Sequence, residues 1–132
     1  MTAGRMQIGE AAERVGLSIR TLRHYEDAGL VLPSARSEGG FRLYTEPDLD
    51  RLRVIKRMKP LGFTLDEMRD LLAILDALGD PAVTGEERKA LQERLAMFHD
   101  AADTRVQALR QQLEMAEGFA RQIAEQIERH AG

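Results

Sequence analysis

The spacing of apolar positions changes several times in the first half of the chain and then settles into one long pattern in the second half. Ile8, Ala11, Ala12 and Val15 recur at three- and four-residue steps, which predicts a helix over about residues 7–14, with Gly16 where it must turn. Ser18 is placed to cap a second helix over about 18–28. Its Leu22 and Tyr25 share a packing face, and Gly29 stands as a left-handed stop. Leu30–Leu32 and Phe41–Tyr44 are short β-prone runs, so residues 33–40, with Pro33 and the Gly39-Gly40 pair, are expected at the tip of a two-stranded wing. A lone hairpin is marginal in water, so this one is expected to lie against the helices.

Thr45-Glu46-Pro47-Asp48 opens a third helix over about 46–58, carrying Leu49, Leu52 and Ile55 inward. Pro60 ends it and Leu61-Gly62-Phe63 turns the chain. Thr64 and Glu67 form a capping box for a fourth helix over about 65–78, whose stripe is Leu65, Met68, Leu71, Leu72 and Leu75. Gly79-Asp80-Pro81 breaks the pattern, which gives a domain over 1–78, a linker over 79–84 and a final helix within 85–132. Residues 1–5 have no pattern.

That final helix, about 85–129, is several times the usual length of roughly 11 residues for a globular helix. Leu91, Leu95, Phe98, Ala102, Val106, Leu109, Leu113, Ala116, Ala120, Ile123 and Ile127 step by threes and fours, with one additional four-residue step after Ala102. This is a heptad seam with a single stutter, the mark of a coiled coil. The competing arrangement is a long helix folded back on its own domain. The seam outlasts what the preceding 80 or so residues can cover, which favours pairing with a second copy.

Composition is that of an ordinary globular protein: 43% hydrophobic and 31% charged over 132 residues. No apolar run approaches the ~20 residues of a membrane span, and the N-terminus lacks the apolar core of a signal peptide, so a cytoplasmic protein is expected. The absence of cysteine excludes disulfides and thiolate metal sites. The net charge of −3 divides unevenly: residues 1–60 hold eleven Lys/Arg against eight Asp/Glu, and residues 61–132 hold eight against fourteen. A basic front suits a partner rich in phosphate.

The basic groups fall where such a partner needs them. A helix, a glycine turn and a second helix make a helix-turn-helix, in which the second helix enters the DNA major groove. Ser18, Arg20, Thr21, Arg23, His24 and Tyr25 lie on that second helix, with Arg36, Arg42 and Tyr44 on the wing. Arginines near the helix start can reach guanine edges or phosphates, while wing groups clamp the backbone. Arg51, Arg53, Lys56, Arg57 and Lys59 crowd the third helix, either as further phosphate contacts or as a solvated face.

Five stretches resemble the MerR family of bacterial transcription regulators: Ile8-Gly9-Glu10-Ala11-Ala12, Thr21-Leu22-Arg23-His24-Tyr25-Glu26, Gly29-Leu30, Gly40-Phe41-Arg42-Leu43-Tyr44 and Leu61-Gly62-Phe63-Thr64-Leu65-Asp66-Glu67. Their order and spacing agree with the family over about residues 6–75. His24 and Phe41 stand where other aromatics are usual, and Pro60 interrupts a usually helical segment. The resemblance implies an antiparallel homodimer on a pseudo-palindromic promoter site, which it distorts so that RNA polymerase can read both promoter elements. It also implies an effector near the long helix. Without cysteine, and without room for a further ligand-binding domain, any effector is expected among residues 63–132, near Phe98 and Phe119.

No enzyme constellation is present. His24, His99 and His130 are scattered, His99 with Asp103 supplies only two of the ligands a metal requires, and no phosphate-loop motif accompanies Gly39-Gly40. Catalytic, metal and cofactor sites are therefore not expected. The chain reads as mainly α, a winged helix-turn-helix domain followed by a long coiled-coil dimerisation helix, acting on double-stranded promoter DNA. The alternative is a coiled-coil protein-interaction adaptor with a basic docking face. The operator, the effector, the target genes and the sign of regulation are not written in the sequence.

Overall fold

The computed structural model describes residues 5–32 and 35–132, residues 35–36 by backbone alone. The expectations for residues 1–4, for Pro33 at the wing tip and for the Arg36 side chain lie outside the described residues. In order, the elements are β1 (Met6–Gln7), α1 (Ile8–Val15), α2 (Ile19–Asp27), β2 (Ala35–Arg36), β3 (Arg42–Tyr44), α3 (Glu46–Met58), a 3-10 turn (Lys59–Leu61), α4 (Leu65–Leu78) and α5 (Gly85–Arg129). Two compact units result, one ending at Leu91 and the other running Gln92–Gly132.

Within the first unit, α1 and α2 end in the same way. Gly16 and Gly29 take φ of 73° and 75°, and the next residue's N–H reaches five residues back, Leu17 to Ala12 and Leu30 to Tyr25, each at 3.0 Å. This double-bonded helix end satisfies carbonyls that would otherwise be orphaned, and it makes the turn between the two helices short. Ala11, Ala12 and Val15 of α1 and Leu22 and Tyr25 of α2 are buried with Leu49, Leu52 and Ile55 of α3. Capping boxes start α3 and α4: Asp48 accepts from the Thr45 N–H at 2.9 Å, and Glu67 from the Thr64 N–H at 2.9 Å.

The wing differs from the hairpin expected at 30–32 and 41–44. Leu30 and Val31 are core residues rather than a strand. The strand opposite β3 is β2, with Ala35 across from Leu43 and Arg36 from Arg42. The turn sets this register: the Gly40 N–H donates to Ser37 at 2.9 Å and the Ser37 N–H to Phe41 at 2.8 Å, so pairing must begin just before Ser37. Of the glycine pair, only Gly40 has positive φ. β1 adds a third strand, order β1-β3-β2, with Met6 across from Tyr44, and this anchors the wing to the start of α1.

On α4, Met68 and Leu72 are buried, as is Ile74, which lies about 200° around the helix from Leu72; α4 is therefore covered on two sides, while Leu75 stays 38% exposed. Residues 79–84 fall within the first unit. Arg88, at the start of α5, donates back to the carbonyls of Leu78 and Val83 at 3.2 Å each and ties these elements together. Beyond that unit, α5 runs unbroken to Arg129, and none of its residues is buried.

Candidate nucleic-acid interface

The start of α2 is built by Ser18. Its hydroxyl oxygen accepts from the Thr21 N–H at 3.0 Å and donates to the Thr21 hydroxyl at 2.8 Å. Both hydroxyls thus do local capping work, and the groups of the first turns left facing outward are Ile19, Arg20 and Arg23. Arg20 and Arg23 are exposed and make no hydrogen bond or ion pair among the described residues. His24 is also exposed, its ring centroid 5.8 Å from that of Tyr25.

Two residues expected at the contact surface are not on it. Tyr25 is 2% and Tyr44 0% exposed, because both lie on the faces that α2 and β3 turn toward the core. The Tyr44 hydroxyl has no hydrogen-bond partner among the described residues. A third expectation changes role. Arg42 forms an ion pair with Glu26, a carboxylate on the inner side of α2 whose side chain is 5% exposed. The guanidinium therefore joins wing to helix, with only its outer part in solvent. Glu26 was missed as a site residue, although its position four residues after buried Leu22 places it on the packing face, where a carboxylate needs a cation.

Between α2 and the wing lies an open cleft of about 370 Å³ lined by Gln7, Ile8, Arg23, Asp27, Gly40, Phe41 and Arg42. Arg23 of α2 and Phe41 and Arg42 of the wing line it together. The α3 cations divide. Arg51 bonds Asp76 at 2.6 Å and the Leu30 carbonyl at 3.2 Å, Arg53 bonds Asp50 at 2.9 Å, and Lys56 bonds the Val15 carbonyl at 2.9 Å. Arg57 and Lys59 stay exposed, with no ion pair among the described residues.

The matched family models agree with this arrangement. Residues 6–74 match the MerR HTH family regulatory protein model, and residues 49–125 match a second one described as MerR, DNA binding. The chain belongs to the MerR family. It is 44% identical over 72 residues to the mercuric resistance operon regulatory protein of Bacillus cereus, covering 54% of each. It is 40% identical over 103 residues to the transcriptional activator TipA of Streptomyces coelicolor, covering 77% of this chain and 40% of that one. The chain spans about half the length, or less, of these relatives. Among solved structures it resembles HiNmlR, a MerR family regulator lacking the sensor domain, bound to promoter DNA, with a TM-score of 0.69, 25% identity and 97% and 96% of the two chains covered.

In contrast to the cationic surface of α2 and α3 in this MerR chain, α5 carries a seam of apolar side chains. Leu91, Leu95, Phe98, Ala102 and Val106 are half-buried, whereas Leu109, Leu113, Ala116, Ala120, Ile123 and Ile127 are exposed in the single chain. Phe98 and Phe119, expected to border one effector site, are about 31 Å apart along a straight helix and cannot line one pocket within a chain. His99 lies 3.5 Å from Asp100. Among the described residues no group of three or more metal-ligating side chains converges, and no helix is long and apolar enough to cross a membrane.

Proposed function

We propose that the chain is a MerR-type transcription regulator that binds a pseudo-palindromic promoter site as a homodimer in the cytoplasm and distorts it for RNA polymerase. The observation that carries the reading is the pair of unpartnered guanidinium groups, Arg20 and Arg23, on the second helix of a helix-turn-helix, beside a cleft bounded by a wing. On the second helix of a helix-turn-helix, two exposed arginines with no anion among the described residues are free to meet phosphates or guanine edges. The promoter DNA bound to HiNmlR supports duplex DNA as that partner. Arg23→Ala is expected to weaken operator binding by about 1–3 kcal/mol, read by fluorescence anisotropy, with an unchanged melting curve. Unchanged affinity in the folded variant would remove that helix face from the interface.

The homodimer rests on the α5 seam. Each exposed leucine or isoleucine forgoes about 1.5–3 kcal/mol of burial in water. The seam is also nearly symmetric about Leu109: equal distances on either side pair Leu91 with Ile127, Leu95 with Ile123, Phe98 with Ala120 and Ala102 with Ala116. An antiparallel second copy with Leu109 near the two-fold axis lays seam on seam and sets bulky Phe98 against the partner's small Ala120. A parallel copy would instead stack Phe98 on itself and leave three thin layers, at Ala102, Ala116 and Ala120, against the two Ala102–Ala116 layers of the antiparallel pair.

A further inference from the structure

We infer that Ile19 is a specificity-determining residue that reads the C5-methyl group of a thymine, within one or two base pairs of a guanine read by Arg23. The inference rests on the DNA-binding reading above and adds the base it selects. Ile19 is the first residue of α2 and is 41% exposed, while the apolar residues Leu22 and Tyr25 of the same helix are at most 2% exposed. An exposed branched apolar group gains nothing from water. Its polar neighbours Ser18 and Thr21 are occupied with each other, so the outward surface of the first two turns consists of one hydrocarbon side chain, two guanidinium groups and the His24 ring.

The major groove offers a matching set of features. Its apolar feature is the thymine methyl, and the guanine O6/N7 edge is the preferred target of an arginine. The N-terminal residues of the second helix are those that reach base edges in a helix-turn-helix. Ile19 and Arg23 stand four residues apart, on the same side of α2 and about 6 Å apart along its axis. Successive bases rise about 3.4 Å, so the two side chains meet bases one or two steps apart. Arg20, between them, is left for the second base edge or a phosphate.

The test uses the full chain and a duplex selected by it from a random pool. Each thymine is replaced singly by deoxyuridine, which removes the methyl group and leaves the pairing edge intact. For the wild-type chain, one replacement per half-site is expected to weaken binding by about fourfold, the worth of one buried methyl. Ile19→Ala is expected to bind the thymine and uracil duplexes equally. Ile19→Val, which keeps the branched methyls, is expected to retain the preference. Uniform indifference to uracil in the wild type, or a methyl preference that survives in Ile19→Ala, overturns the inference while leaving DNA binding intact. Failure to select any duplex overturns both this inference and the function beneath it.

Discussion

Lys56 carries its ammonium group from α3 to the Val15 carbonyl at the end of α1, and a Cβ added at position 16 would meet that nitrogen at 2.7 Å. Gly16 is required by its φ of 73°, whereas the lysine, met at the far end of a flexible side chain, could swing aside at the cost of its bond to the Val15 carbonyl. Gly16→Ala is expected to cost at least the ~1–2 kcal/mol of a left-handed alanine. Gly29 has nearly the same φ but open space around it, so Gly29→Asn is expected to be milder than Gly16→Asn by about the 1 kcal/mol of the displaced Lys56 hydrogen bond when the two are compared by urea denaturation. Tyr44→Phe tests the opposite situation. Its hydroxyl is buried without a partner among the described residues, so removing it is expected to leave operator affinity unchanged and to raise stability by up to about 1 kcal/mol. A loss of affinity in Tyr44→Phe would return the phenol to the interface. At this scale the sequence displayed which residues are cationic or aromatic but not their partners. Arg51 and Lys56 look like Arg57 and Lys59 along the chain, yet the first two close helix and turn carbonyls and the others do not. The difference depends on contacts 21 and 41 residues away, which helical spacing cannot report.

The wing is held to α2 by the Glu26–Arg42 pair and to α1 through β1. Arg42→Met leaves the Glu26 carboxylate buried without that cation and is expected to destabilise by about 2 kcal/mol, a figure already reduced for the partial exposure of Arg42. Arg42→Met with Glu26→Gln is expected to recover much of that loss, since a neutral amide is cheaper to bury; a double variant as unstable as the single one would show that the pair is not what holds the wing. Helices were the most legible elements, because their starts and stops are chemical: Thr45 with Asp48, Thr64 with Glu67, and Gly16 and Gly29 at the ends. The strands were not. A two-residue strand has no period, and its register is set by the turn at Ser37–Gly40 rather than by the β-prone Leu30–Leu32 run, of which the core claims Leu30 and Val31.

For the whole molecule, the proposed antiparallel seam makes two predictions. Leu113→Lys is expected to shift the protein toward monomer in sedimentation, with operator affinity falling although the basic front is untouched. Because the chain has no cysteine, Leu91→Cys and Ile127→Cys variants can be mixed and oxidised: a disulfide between the two variants is expected, and bridging within either variant alone would indicate parallel strands. Five cations of the first sixty residues, Arg14, Arg42, Arg51, Arg53 and Lys56, are paired with carboxylates or carbonyls of the same chain. Such groups have little left to displace counterions condensed on a duplex. The dependence of affinity on ionic strength should therefore follow the unpartnered set headed by Arg20, Arg23, Arg57 and Lys59, with a log–log slope of about −4 to −5 per protomer, rather than the roughly −10 that eleven free cations would give. A slope near the larger value in potassium chloride titrations would mean that the internal pairs open on binding. With the smaller one, the dimer would hold its site over a wider range of ionic strength than its arginine content suggests.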